Sequence, residues 1–532
     1  MDQASMTLRE AVEAGIEAAV RLLAEPGPRG AREALTPARK SLVDARGRWE
    51  YRMRVAMAGR PSAGKSTLIN ALLGQRLAET HAQEMTKVVT WLAHGPAPRL
   101  TVHDKDGQAW PVDPPTLDKL AELTTHKFAR GSFSDTASFV RYEHPNDWLE
   151  IFDIIDTPGN DSELGTDSDM TVRHLGPHED TADALIIVFP KAGARTEDIW
   201  LAEHFQNRAE GGPSAVNPLT TVGALTFIEH DYWKDNGRKP GLIENGELRE
   251  IRTARAQAGA LMAEPSLRGV LYDLRPVASK VAEAAGLLDD EDFAALAELV
   301  AAGPGRPPLS PADLVRLTVT SQRWNRDAPL PAERSARLMR MLTGYGIVLC
   351  GELICSGVDS RQELARQLRD LSGLTAFQSL ISQHFVERAD LIKLVRLMAR
   401  TRTLVAASKP LLGYRQQHIL EQAALHILRL GLERAEFDEQ RVLRSKRDGL
   451  LELSDHEIDE MMRVFGETTG AKLVAERLGL PGGSPRELAA LAAQRSEHWS
   501  RQADGGPYDG ETRAACLVIS RSYDHLGAAI SR

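Results

Sequence analysis

Residues 55–74 read VAMAGRPSAGKSTLINALLG, and this stretch decides the fold. The run from Gly59 to Ser66 fits the pattern G-x-x-x-x-G-K-[ST], which describes a loop whose backbone N–H groups cradle phosphate oxygens. The residues before the loop become wholly small and apolar, as a buried strand does, and those after it carry apolar side chains at helical spacing. Because the motif requires a strand, a loop and a helix in this order, the sequence predicts a phosphate-binding site on an α/β sheet.

The loop also predicts which side chains contact a nucleotide. Lys65 would reach the β- and γ-phosphates, and the Ser66 hydroxyl would bind Mg²⁺. The other positions assigned to nucleotide binding complete the loop and the first helical turn: Gly59, Arg60, Pro61, Ser62, Ala63, Gly64 and Thr67. The loop alone leaves ATP and GTP open, because ATPases and GTPases both use it.

Two further segments favour GTP. The motif IIDTPG (154–159) ends an apolar strand, so that Asp156 would hold Mg²⁺ through a water molecule and the Gly159 N–H would meet the γ-phosphate. A D-x-x-G motif in this position is typical of a GTPase switch. Thr86 lies between the two motifs, immediately before a strand, and is the predicted switch threonine that closes on Mg²⁺ and the γ-phosphate. Thr90, deeper in the same strand, is the alternative.

Recognition of the base is less well defined. A later strand in GTPases is followed by [NT]-K-x-D, and here the strand 221–228 is followed by Glu229, His230 and Asp231. Asp231 would accept hydrogen bonds from the guanine edge, or else would only cap a turn. Glu229 stands where the motif has Lys, and a position on the surface is one reading of it. Ser279 and Lys280, after the next strand, are predicted to lie near the ring, so GTP is favoured over ATP without being settled.

The apolar pattern divides the chain into three parts. Single strands alternate with helices or loops from about 51 to 280, which is typical of an open α/β domain with a mostly parallel sheet and helices on both faces. We predict an N-terminal helical arm (1–49), a nucleotide-binding domain (50–282) and an all-α neck or stalk region (283–532), with the arm joining the neck. The predicted strands are 51–58, 86–93, 99–104, 149–156, 182–189, 221–228 and 269–277.

Charge and cysteine content restrict the partners. The chain has 74 acidic and 65 basic residues, for a net charge of −9, which argues against a global nucleic-acid binder. Three cysteines without metal-ligand spacing indicate a reducing compartment, and the protein is expected in the cytoplasm, either free or peripheral on the inner face of the cell membrane. The apolar run 345–357 is short and interrupted, so we expect it in a helical core.

One segment raises the question of a membrane. Residues 385–415 contain seven bases and two acids, interleaved with apolar side chains. Such a segment could lie on anionic lipid, or it could be the solvated face of a long bundle helix.

Taken together, these motifs resemble the dynamin superfamily. The resemblance rests on GRPSAGKSTLINALLG, on DTPG with the strand ADALIIVF after it, and on helices at both sides of the nucleotide-binding domain. The segments EMTKVVTWL and 337–374 are similar to the actinobacterial branch that includes the mycobacterial isoniazid-inducible dynamin-like proteins. The resemblance implies hydrolysis of GTP to GDP stimulated by dimerisation of the GTPase domains, or association with a related dynamin-like protein, and a stalk whose tip contacts lipid. It also implies that Ser62 organises the attacking water and the contact with the partner.

The chain departs from the family pattern at two positions. Glu229 replaces the Lys of the base motif, which puts the affinity for nucleotide in doubt, and Asn160 replaces an apolar residue after the D-x-x-G glycine. We expect Asn160 to assist the attacking water weakly, because its amide is one methylene shorter than the water-orienting Gln of Ras-like GTPases. The residues assigned to catalysis are Ser62, Lys65, Thr86, Gly159 and Asn160.

Two other functions stay open at this point. The first is a soluble GTP-switched interaction protein whose helices bind a protein partner rather than lipid. The second is a nucleotide-binding scaffold with little turnover.

Overall fold

The computed structural model describes most of the chain, and the chain forms two compact units. The described residues are 8–24, 29–78, 88–104, 108–124, 137–157, 182–207, 217–233, 241–301, 307–431, 435–468 and 474–530. The helical unit comprises Met1–Met53, Gln206–Thr220 and Leu380–Arg532, and the sheet unit comprises Arg54–Phe205 and Thr221–Ser379. Each unit is therefore assembled from segments that are distant in sequence.

The sheet unit is built on a nine-stranded mixed sheet of order β11-β8-β7-β1-β6-β2-β5-β3-β4. The pairs β1–β7, β7–β8, β8–β11 and β2–β5 are parallel, and β2–β6, β3–β5 and β3–β4 are antiparallel. The strands are β1 Met53–Ala58, β2 Val89–His94, β3 Arg99–Asp104, β4 Ala109–Val112, β5 Ala137–His144, β6 Phe152–Asp156, β7 Ala184–Pro190, β8 Thr221–Thr226 and β11 Leu274–Pro276; β9 Ile243–Glu244 and β10 Glu247–Leu248 form a separate two-stranded ladder.

The predicted fold class is confirmed, and each predicted strand overlaps an observed one. Two strands of the nine-stranded sheet are absent from the prediction, the exposed edge strand β4 and the strand β5, as is the short ladder of β9 and β10. The segment predicted as a strand from 149 begins as a short helix instead, Asp147–Ile151, because the side chain of Asn146 accepts a hydrogen bond from the Trp148 N–H and caps it. β11 is the last strand among the described residues.

Helices cover the sheet and fill the rest of its unit. One of them, Ser279–Leu287, packs so closely on the helix after the phosphate loop that a Cβ at Gly286 would lie 2.8 Å from the Cα of Gly74. The helices of this unit are α3 Lys65–Leu73, α4 Leu117–Thr124, α5 Asp147–Ile151, α6 Thr196–Asn207, α7 Arg249–Ala263, α8 Pro265–Arg268, α9 Ser279–Leu287, α10 Asp290–Val300, α11 Pro311–Leu317, α12 Ser321–Asp327, α13 Ala332–Cys355, α14 Arg361–Leu371 and α15 Leu374–Ile381. The sheet unit thus includes helices beyond residue 282, which the predicted division does not anticipate.

The helix α13 forms much of the core of the sheet unit. Its side chains Leu338, Tyr345 and Leu349 are fully buried. Among the described residues it is the one helix long and apolar enough to cross a membrane, and 67% of its most apolar window is buried inside the unit. A buried core helix passes such a test of length and composition as readily as a membrane span does.

The helical unit contains the two N-terminal helices and the C-terminal third of the chain. Val12 and Ile16 of its first helix are buried. Its helices are α1 Leu8–Ala24, α2 Arg29–Glu50, α16 Ala389–Ser408, α17 Tyr414–Leu428, α18 Ala435–Arg447, α19 Asp455–Val464, α20 Val474–Arg477, α21 Pro485–Gly505 and α22 Gly510–Ile530. A second core lies around Trp499 and Tyr523, which both donate to the buried carboxylate of Glu460 (3.0 and 2.6 Å).

Candidate functional site: the phosphate loop and its surroundings

The phosphate loop connects β1 to α3, as its motif predicts. Gly59 has φ +148°, and a Cβ there would lie 2.4 Å from the carbonyl oxygen of Val188 in β7. Gly64 has φ +92°, and a Cβ there would lie 3.1 Å from the ring of Phe227. Only glycine fits both positions, because other residues rarely adopt these angles and lack the space. The two glycines of the motif therefore fix the shape of the loop.

Lys65 is held inside this loop. Its Nζ donates to the carbonyl oxygens of Gly59 and Arg60 (3.0 and 3.2 Å), and its side chain is almost fully buried. Burial lowers the pKa of Lys65, and the carboxylates of Asp156 and Asp198 oppose that shift. The ammonium group therefore lies against the loop backbone, near two carboxylates, in a position where it can bind phosphate oxygens.

Asp156 ends β6 and is also buried. Its Oδ1 has no hydrogen-bond partner among the residues that the structure describes. Burial raises the pKa of Asp156 to about 6, and Lys65 limits the rise. A buried carboxylate oxygen without a donor fits a hard cation, and Ser66 at the start of α3 supplies the hydroxyl that Mg²⁺ would take as a second ligand. These residues therefore fit the predicted magnesium site.

A buried ion pair fastens the loop to α6. Arg60 Nε lies 3.1 Å from the carboxylate of Asp198, and Arg60 Nη2 donates to the carbonyl of Gly193 (2.7 Å). Asp198 also accepts from the Arg195 N–H (3.0 Å), and burial raises its pKa. Sequence reasoning missed Asp198, because no motif marks it.

The end of β8 lies against the same loop. The hydroxyl of Thr226 lies 2.6 Å from the carbonyl oxygen of Ala63 and 3.0 Å from that of Phe189. The next residue, Phe227, has φ +55° and stacks on His230 with ring centroids 4.8 Å apart. The end of β8 and the segment after it therefore contact the phosphate loop, as a base-recognition element must.

Glu229, in the segment after β8, has a buried carboxylate. Its Oε1 accepts from the backbone N–H of Lys280 (2.9 Å), and its Oε2 has no partner in the described part of the chain. The side chain is 2% exposed, and this burial raises its pKa to about 7. The reading of Glu229 as a surface residue is therefore wrong. The structure brings it together with the predicted base-loop residues Ser279, which is buried, and Lys280.

A different signal in the sequence marks Glu229. Thr226 ends the strand and an acid follows three residues later, so Thr226 to Glu229 keeps the first and last residue types of [NT]-K-x-D, with Phe227 at the Lys position. The prediction instead ended the motif at Asp231, two residues later, and therefore missed this match.

Several predicted residues lie outside the described residues, and their roles stay predictions. These are Thr86, Gly159 and Asn160. Asp231 belongs to the 3-10 helix Ile228–Trp233, and its side chain is not among those described. Ser62, with φ +57°, is exposed on the loop, and the alternative switch residue Thr90 is buried opposite Asp156 in the ladder of β2 and β6.

The chain is similar in sequence to known proteins. Residues 55–208 match the model of the dynamin family. The isoniazid-induced protein IniC of Mycobacterium tuberculosis is 29% identical over 485 residues, which cover 90% of each chain. A bacterial dynamin-like protein of Nostoc punctiforme is 29% identical over 124 residues, 21% of this chain and 17% of that one.

Solved structures give a weaker likeness. Two chains of an oligomerised bacterial dynamin pair, described as a mechanism for the long-range sensing and tethering of membranes, are each 14% identical to this one. The matches cover 99% and 88% of this chain and 75% and 79% of those chains, with TM-scores of 0.29 and 0.31. The nucleotide site, with its motifs on β1 and β6, thus lies in the part of the chain that matches the dynamin family, and the similarity to IniC extends along nine tenths of both chains.

Proposed function

We propose that the protein binds GTP with Mg²⁺ and hydrolyses it to GDP and phosphate. The observation that carries this proposal is the pair formed by Lys65, buried on two loop carbonyls, and Asp156, whose buried Oδ1 has no partner among the described residues. Lys65 and the loop N–H groups would stabilise negative charge on the phosphates, and Mg²⁺ would neutralise charge that develops on the β- and γ-oxygens. Asp156 and Ser66 would orient the cation, with Thr86 as the proposed third contact.

The attacking water needs further groups. We assign its orientation to Asn160, the γ-phosphate contact to the Gly159 N–H, and a supporting role to the exposed hydroxyl of Ser62. Because Ser62 lies at the surface of the loop, a second GTPase domain facing the loop would meet it. This exposed position supports the proposal that self-association stimulates hydrolysis.

The proposed cellular role is membrane remodelling from the cytoplasm, by a protein peripheral on the inner face of the cell membrane. The partner would be a second copy, through the GTPase domains, or a related dynamin-like protein. The match of residues 55–208 to the dynamin family supports this role.

One observation favours a second candidate, a soluble GTP-switched protein whose helices bind a protein partner. Arg388 and Arg396, two bases of the segment 385–415, are buried, and Arg388 pairs with the buried Glu467 (2.8 Å). These bases stabilise the helical unit itself and do not face lipid.

The decisive experiment measures turnover of GTP and of ATP as a function of protein concentration. We expect GTP to be preferred and the rate per molecule to rise with concentration, because dimerisation would complete the site. Lys65→Ala should abolish turnover, whereas Lys119→Ala, which changes an exposed lysine of α4, should not. A slow rate independent of concentration would support the second candidate, and equal turnover of ATP would contradict guanine recognition.

A further inference from the structure

A buried asparagine of α3 uses its whole hydrogen-bonding capacity. Asn70 is 1% exposed, although asparagine side chains mostly lie at protein surfaces. Its Oδ1 accepts from the backbone N–H groups of Leu77 and Ala78 (2.9 and 2.8 Å). Its Nδ2 donates to the carbonyl oxygen of Ala78 and to the carboxylate of Glu283 (2.9 Å each). Because a side-chain amide accepts twice and donates twice, these four hydrogen bonds leave no polar group of Asn70 unsatisfied.

Glu283 connects this asparagine to the predicted base loop. Its carboxylate is 2% exposed, and its Oε2 accepts from the Nζ of Lys280 (2.6 Å). The backbone N–H of Lys280 in turn donates to Glu229, the buried carboxylate after β8 (2.9 Å). A chain of three hydrogen bonds, through Lys280 and Glu283, therefore links Glu229 to Asn70.

The packing of α9 on α3 fixes the geometry of this chain. A Cβ at Gly286 of α9 would lie 2.8 Å from the Cα of Gly74, at the end of α3. Glu283 precedes Gly286 by three residues and Asn70 precedes Gly74 by four, so each pair lies on one face of its helix. The close approach of the two backbones at the glycines therefore brings Glu283 to Asn70.

The two residues that Asn70 holds lie near the predicted magnesium site. Leu77 and Ala78 line a cavity of about 290 Å³ together with Thr90 and Asp156. Ala78 is also the last described residue before 79–87, the segment that contains Thr86. Asn70 therefore joins the residues beside the predicted base site to those beside the predicted magnesium site.

We propose that Asn70 is a positioning residue that couples the two ends of the nucleotide site, so that a guanine base and a γ-phosphate with Mg²⁺ each strengthen the binding of the other. Binding at either end restricts the same buried network, and the second group then loses less conformational freedom. The coupling acts equally in both directions, because it is a free energy shared by the two ends. This inference rests on the proposed binding of GTP with Mg²⁺, and it adds the contact through which base and γ-phosphate act together.

The test compares the gain in affinity that a γ-phosphate brings to a guanine nucleotide and to an adenine nucleotide. Dissociation constants are measured with excess Mg²⁺ for GDP, ADP and the non-hydrolysable imidotriphosphates GMPPNP and AMPPNP. For the wild type we expect the gain to be about fivefold larger with guanine. For Asn70→Ala we expect equal gains. A merely structural role would weaken all four nucleotides by one factor and leave the ratio of the two gains unchanged.

Two further variants make the comparison independent of the folding of Asn70→Ala. Glu283→Gln keeps the side-chain volume and an acceptor for Asn70 but removes the charge that holds Lys280, so the ratio of gains should fall toward one. Asn146→Ala is the matched control, because Asn146 is also buried and hydrogen-bonds the carbonyl of Leu73 and the N–H of Trp148. It should keep the wild-type ratio.

The outcomes separate this inference from the function on which it rests. If the wild type binds guanine nucleotides but shows equal gains, the coupling is wrong while the proposed GTP binding stands. A folded Asn70→Ala or Glu283→Gln variant that keeps the wild-type ratio would also overturn the coupling. Loss of the ratio in Asn146→Ala would assign the effect to a general loosening of α3 instead of to Asn70. If the wild type binds no guanine nucleotide, the proposed function is wrong and the inference with it.

Discussion

The hydroxyl of Thr226, the last residue of β8, lies 2.6 Å from the carbonyl oxygen of Ala63 in the phosphate loop. Both groups are buried, so this hydrogen bond couples the shape of the phosphate loop to the segment that would recognise the base.

Replacing Thr226 with Val should therefore affect stability and binding together. Valine keeps the volume but leaves the Ala63 carbonyl without this donor, so we expect a loss of about 1–2 kcal/mol in the free energy of unfolding and weaker nucleotide binding. Urea unfolding and nucleotide titration measure the two effects. Thr253→Val, at an exposed position of α7, is the control, and equal behaviour of the two variants would contradict the coupling.

Glu229 should make stability depend on pH. Its folded pKa is about 7, against 4.5 as the ordinary value, so between these pH values the folded protein keeps a proton that the unfolded chain has lost. The free energy of unfolding should accordingly fall as the pH rises through this window, by about 3 kcal/mol from this group, and stay level above it.

Glu229→Gln should lack this fall, because the amide cannot ionise and its oxygen can still accept from the Lys280 N–H. Relative to the wild type, the variant should gain stability between pH 5 and pH 8 in thermal or urea unfolding. Glu497→Gln, at an exposed position, should keep the wild-type profile. Parallel profiles for all three proteins would show that Glu229 does not titrate in this range.

The two candidate base-reading carboxylates can be compared with matched amides. The Glu229 side chain lies beside Ser279 and Lys280, with Oε2 lacking a partner among described residues, so we expect Glu229→Gln to weaken GTP binding about tenfold and to leave ADP or ATP binding unchanged. Asp231→Asn should have the smaller effect. If Asp231→Asn weakened GTP binding more than Glu229→Gln does, base recognition would be assigned to Asp231 instead.

Asp198→Asn tests the ion pair that fastens the phosphate loop to α6. The pair is largely buried, so leaving Arg60 without its countercharge should cost about 3 kcal/mol in the free energy of unfolding. Asp327→Asn, which breaks an exposed pair with Arg326, should cost well under about 1 kcal/mol. Similar costs for both would mean that the Arg60 pair contributes no more than a surface contact.

Asn160→Ala tests the residue after the D-x-x-G glycine. We expect a lower maximal rate of GTP hydrolysis with little change in GTP affinity, since the amide would act only on the attacking water. An unchanged rate would remove Asn160 from the mechanism.

Local patterns predicted much of the fold and the centre of the site. The strands β1, β6 and β7 are buried on both faces, so they appear in the sequence as continuous apolar runs, and the loop glycines are dictated by local backbone geometry. β5 was not predicted because Arg141 and Glu143 interrupt its apolar residues. β4 was not predicted because it is an exposed edge strand that contains Pro111.

Contacts between distant residues could not be predicted in this way. The pairing of Arg60 with Asp198, and of Glu229 with the Lys280 N–H, depends on which strand ends meet at one edge of the sheet. A single sequence contains no periodic signal for that adjacency.

The discontinuous helical unit also has a consequence during synthesis. α1 leaves the ribosome well before α17, the helix that packs on it: a Cβ at Gly15 would lie 3.1 Å from the carbonyl oxygen of His426. The sheet unit is complete at Ser379, so it can close while the stripe of Val12 and Ile16 is still uncovered. In the nascent chain, α1 and α2 must therefore be shielded, by chaperones or by transient contacts, until the segment that begins at Leu380 emerges.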